Sequence, residues 1–95
     1  MRSVCEEADG ALEYAQKSVK FSSTRPEFSK MYAEMAWDEL KHAKYLREIG
    51  QTMMNEEQTP TSEAERYWMK CIRHLVDQEV LVTKLLDSDK KVVVV

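Results

Sequence analysis

Residues Phe28, Tyr32, Met35, Glu39, His42, Leu46, Ile49 and Met53 step along the chain by four and three residues in strict alternation. That is the spacing of one helix face packed against another helix. A strand has a period of two and cannot hold such a stripe on one side, so residues 26–57 read as one helix of about nine turns. Gly50 lies within it. A lone glycine costs only ~1 kcal/mol in a helix, and the period continues beyond it to Met53, so the helix is predicted to run through.

Two breaks bound this helix. The first runs through Ser22, Ser23, Thr24, Arg25 and Pro26; Ser23 or Thr24 is suited to cap the new helix, and Pro26 is tolerated in its first turn. The second runs through Gln58, Thr59, Pro60 and Thr61. There Thr61 or Ser62 is suited to cap the third helix, with Glu65 three residues after Ser62 as in a capping box. With 2 Gly and 2 Pro among 95 residues, little remains to make other turns. The expected fold is therefore all-α, a single domain over residues 1–95. Its helices lie at about 4–21, 26–57 and 62–87, followed by a disordered or extended tail over 88–95. Short connections imply an up-down-up arrangement. A chain this short buries a modest core alone, so completion of the bundle by homo-oligomerisation is expected.

The stripes are interrupted by ionisable residues. Glu39 and His42 stand mid-stripe in the second helix, Glu79 stands among Trp68, Ile72, Leu75, Val82 and Leu86 in the third, and Glu7 stands in the first beside Val4, Ala11, Tyr14, Ser18 and Phe21. The first helix also carries Ala8, Leu12, Ala15 and Val19, a second apolar stripe that suggests two buried faces. A buried carboxylate without a cation costs several kcal/mol, and no Lys or Arg lies on any of these stripes. A metal ion would meet that need. Counted from the two breaks at ~1.5 Å per residue, Glu7, Glu39, His42 and Glu79 reach one level. Glu39 and His42, at i and i+3, point from one face toward one ion. Mixed carboxylate and imidazole donors suit iron or manganese better than thiolate-seeking metals.

Each residue also has a plainer reading. Glu7 suits a helix N-terminus, where the dipole favours an acid. Glu79 suits a bundle edge, paired with a lysine. Tyr14 suits the core. His74 and Asp77 share the i, i+3 spacing but read as surface. Met31, Met35, Met53, Met54 and Met69 read as core filler, and Trp37 and Trp68 as anchors of packing or of an interface.

The net charge of -3 and the lack of a dense Lys/Arg cluster argue against nucleic acid as a partner. The longest apolar run is residues 92–95, so neither a membrane span nor a signal peptide is expected. Cys5 and Cys71 form no C-x-x-C pair. They read as reduced thiols of a cytoplasmic protein that pack as small hydrophobes, with a disulfide left open.

Glu7 followed by Tyr14, then Glu39-Leu40-Lys41-His42, resembles the ferritin-like superfamily on its rubrerythrin side. The stretch from Cys5 to about Leu46 is also similar to small ferritin-like proteins of bacterial and prophage genomes. The resemblance implies that Glu7, Glu39 and His42 are iron ligands and that Tyr14 lies near them. A complete di-iron bundle takes a Glu from each of two helices and a Glu-x-x-His from each of two others. This chain has one Glu-x-x-His and no rubredoxin-type Cys₄ site. The resemblance to encapsulated ferritins implies that a second copy supplies the missing half. Two functions follow as expectations: a carboxylate/histidine iron protein, with manganese as the alternative metal, that oxidises Fe(II) or reduces peroxide; or a non-enzymatic helical module, for instance in prophage assembly, that keeps the skeleton.

Overall fold

The computed structural model describes the backbone of residues 3–57 and 61–94, with side chains as far as Leu86. It contains α1 (Val4–Lys20), α2 (Pro26–Glu56) and α3 (Ser62–Val94), and no strand among the described residues. The α1 and α2 boundaries fall within one residue of those expected. The third helix does not stop near residue 87: the backbone is helical to Val94, where a disordered or extended tail was expected from residue 88. Val95 and most of the second break, residues 58–60, lie outside the described residues.

The caps differ in part from the sequence reading. Ser3 caps α1, its Oγ accepting from the Glu6 N–H at 3.1 Å. At the second helix neither Ser23 nor Thr24 takes the cap. Arg25 occupies that position without a side-chain cap bond, because Pro26 is itself the first helical residue. The Arg25 side chain instead donates to Glu27 at 2.8 Å and lies over the Phe28 ring at 4.2 Å. Thr61 caps α3, accepting from the Ala64 N–H at 3.1 Å. Ser62 is thereby the first helical residue, and no Ser62–Glu65 box forms.

α1 is the centre of the molecule. α2 runs antiparallel to it: Phe21 meets Phe28, Ser18 meets Ser29 and Tyr14 meets Tyr32. α3 runs parallel to it, with Cys5 against Cys71 and Asp9 against His74 and Gln78. α2 and α3 touch each other only sparsely. As the two stripes suggested, α1 is buried on both sides, and the residues it buries are small: Ala8, Gly10, Ala11, Ala15 and Ser18, with Val4 and Glu7.

The α2 stripe is turned by one residue from the expected one. The buried line is Ala36, Leu40 and Ala43, and the larger apolar side chains sit on its flank. Met35, Ile49 and Met53 are 40%, 56% and 64% exposed, and Met31 and Met69 also face outward, so these methionines are not core filler. The cause is the alanine on α1. Small side chains on both helices let the backbones approach closely, and the larger residues, which dominate a hydrophobicity pattern, are displaced to the side. On α3 the expected stripe holds, with Leu75, Val82 and Leu86 buried and Cys71 beside them.

Gly50 lies inside α2, as its position in the period suggested. A Cβ there would meet the indole of Trp68, whose Cζ3 would be only 2.7 Å away. Trp68 Nε1 donates to the neighbouring Gln51 at 2.8 Å. This glycine leaves room for the Trp68 ring against α2.

Candidate metal centre

The site is set by the register of α1 on α2. From the Ser18–Ser29 contact, about eleven residues back along α1 and about eleven forward along α2 cover the same ~16 Å. That places Glu7 opposite residue 40, between Glu39 and His42. Glu39 and His42 flank the buried Ala36–Leu40–Ala43 line and lean from it toward α1.

The three side chains converge. One donor atom from each of Glu7, Glu39 and His42 lies within 4.8 Å of the others, and among the described residues they form the one such group of three. His42 Nδ1 is 3.9 Å from Glu7 Oε2 and 3.9 Å from Glu39 Oε1. The Glu7 and Glu39 side chains are 11% and 15% exposed, whereas His42 is 55% exposed. Two carboxylates near the core therefore meet an imidazole at the surface, and the set opens to solvent along the outer flank of α2.

The donor set fits a metal ion. Donors about 2.1 Å from an ion and at about 90–110° to one another are about 3.0–3.4 Å apart, so closing the observed 3.9 Å separations takes small side-chain rotations. Oxygen and imidazole donors without thiolate suit a divalent first-row metal ion. Three protein donors leave coordination positions for water or a further ligand.

The other residues expected at this level lie elsewhere. Glu79 reaches its level but faces the sparse α2–α3 contact, where it forms an ion pair with Lys44. Lys44 is off the stripe, so an inventory of stripe residues did not supply it. Tyr14 stacks on Tyr32, with centroids 6.0 Å apart, and Lys17 sits 5.9 Å from its ring. That pair is two helical turns from Glu7. Trp37 is 37% exposed.

A second polar set joins α1 to α3. Asp9 Oδ1 is 2.6 Å from His74 Nε2 and accepts from Gln78 Nε2 at 2.8 Å. Partial burial pushes the Asp9 carboxyl upward, but the bonds from His74 and Gln78 outweigh it and bring it below its ordinary value. His74, read from sequence as plain surface, thus pairs across a helix interface. Cys5 and Asp9, at i, i+4 on α1, meet Cys71 and His74, at i, i+3 on α3, a match that shows only once the two helices lie parallel.

Beside α2's outer flank lies an open apolar recess of about 270 Å³, lined by Phe28, Met31, Tyr32 and Met35. Among the described residues no helix is long and apolar enough to cross a membrane. Comparison with known protein families, with characterised proteins and with solved structures returns no match.

Proposed function

We propose that this chain is a metal-binding protein of ferritin-like build, in which Glu7, Glu39 and His42 hold iron or, alternatively, manganese. The observation that carries this reading is the convergence of two largely buried carboxylates and one imidazole from two helices. Bound at such a site, iron supplies one-electron chemistry toward oxygen or peroxide. The chain's part is to orient: Glu7 comes from the first helix, Glu39 and His42 from one face of the second, and the small-residue packing of α1 on α2 fixes the distance between them. The activity proposed is oxidation of Fe(II) or reduction of peroxide.

The reading includes a second copy. Three donors are half of what a two-metal bundle uses, and half-exposed His42 lies on the same flank as the exposed Phe28, Met31, Met35, Ile49 and Met53. A two-fold partner laid along this flank would cover the apolar stripe and bring a second ligand set toward the first.

The test is anaerobic equilibration of the purified chain with Fe(II) or Mn(II), removal of free metal, and elemental analysis. Retention of metal by the wild type and its loss in Glu39→Gln is expected. A folded wild-type chain that retains neither metal would overturn the reading in favour of a non-enzymatic helical module.

A further inference from the structure

The first turn of α1 holds a second chemical group, away from the carboxylates. Cys5 in α1 and Cys71 in α3 are free thiols with their Sγ atoms 3.2 Å apart. An S–S bond is ~2.05 Å long, so about 1 Å of closure separates this pair from a disulfide. The helices are already held in register beside it, one turn on, by the Asp9 contacts to His74 and Gln78. The two thiols also differ in access: Cys5 is partly exposed and Cys71 is buried.

We propose that Cys5 and Cys71 form a reversible dithiol–disulfide couple, oxidised by exchange with a small-molecule disulfide of the glutathione class. Cys5, the accessible thiol, gives up its proton and attacks one sulfur of the external disulfide. The external S–S bond breaks, and the small thiolate that leaves takes up that proton. Cys71 then attacks Cys5 Sγ in the mixed disulfide, and the second small thiol departs with the proton from Cys71. Two protein thiols are oxidised and one external disulfide is reduced to two thiols.

Proximity drives the second step, because Cys71 reaches Cys5 without a diffusional encounter. The first step waits on access to Cys5, which is only partly exposed, and in this structure both residues stand as free thiols. Once formed, the bond joins residues 66 positions apart in sequence and removes much of the freedom of the unfolded chain.

The test is incubation of the full chain with oxidised glutathione, followed by alkylation of remaining thiols and measurement of intact mass. The expected product is a monomer lighter by two hydrogens, with no alkylated cysteine and a Tm raised by on the order of 10 °C, restored by dithiothreitol. Cys71→Ala is expected to keep one glutathione on Cys5. A stable glutathione adduct on the wild type, a disulfide-linked dimer, or two alkylatable thiols after prolonged exposure would each overturn the proposal.

Discussion

Ser18 and Ser29 exchange hydrogen bonds across the α1–α2 interface: each hydroxyl donates to the other residue's backbone carbonyl, both at 2.7 Å. The two Oγ atoms are 3.2 Å apart. The Ser18 carbonyl belongs to the last turn of α1, where carbonyls lack helical partners, and Ser29 provides one. Because this pair sits at the short connection, it also fixes the register that brings Glu7 opposite Glu39 and His42. Ser18→Ala and Ser29→Ala are each expected to cost about 1 kcal/mol in denaturant melts. The double variant should cost less than the sum, since either change breaks the shared arrangement.

Gly50→Ala should change sign with its background. In the wild type the added methyl meets the Trp68 indole, and a loss of about 1 kcal/mol is expected despite the better helix propensity of alanine. In a Trp68→Ala background the same change should stabilise by up to ~1 kcal/mol. Urea titration of the four chains measures both signs, and Trp68 emission should shift red in Gly50→Ala as the ring is displaced.

Acid should loosen α3 from α1. The Asp9 carboxyl is held below its ordinary 3.8 by His74 and Gln78. With a lowered folded-state value, its contribution is fully present above about pH 3.8 and is lost as pH falls through the folded value. The pair is well exposed, so its worth is less than about 1 kcal/mol. Asp9→Asn should remove that part of the acid dependence, as read from Tm between pH 2.5 and 5.

Metal should stabilise the fold by mass action. At about 100 times the dissociation constant, Fe(II) or Mn(II) is expected to add about 2.7 kcal/mol, a rise in Tm of about 10–20 °C for a domain this size. Chelation should reverse it. His42→Ala should abolish the rise and leave the metal-free Tm nearly unchanged, because the His42 side chain is 55% exposed.

The outer flank of α2 should mediate self-association. Met35→Glu adds a charge beside the apolar recess and is expected to convert a wild-type dimer to monomer in sedimentation. Its effect on monomer stability should stay within about 0.5 kcal/mol, since Met35 is 40% exposed.

Much of the fold was legible because the breaks are few and the 3–4 spacing is long. The convergence of Glu7, Glu39 and His42 followed from their levels on two antiparallel helices. The rotation of α2 was not legible, because a hydrophobicity pattern weights Met35 and Ile49 above Ala36 and Ala43, while close packing on alanine does the reverse. For Glu79, pairing with a lysine was legible, but which lysine was not. Lys44 belongs to a neighbouring face, and a long flexible side chain crosses faces that a helical wheel keeps apart. The apposition of Cys5 with Cys71 required the parallel register of α1 and α3, which short-range spacing does not specify.

The sparse contact between α2 and α3 bears on how this sequence can diverge. Glu7, Glu39 and His42 come entirely from the first two helices, and α3 touches α2 only sparsely, at Gly50, Gln51 and Lys44. Outside the residues that grip α1 and α2, the third helix can accumulate substitutions, or acquire a new surface, while Glu7, Glu39 and His42 keep their arrangement. Lineages descended from this chain should then retain the first 56 residues more faithfully than the remainder, with Leu75, Val82 and Leu86 as slowly changing islands in a variable helix.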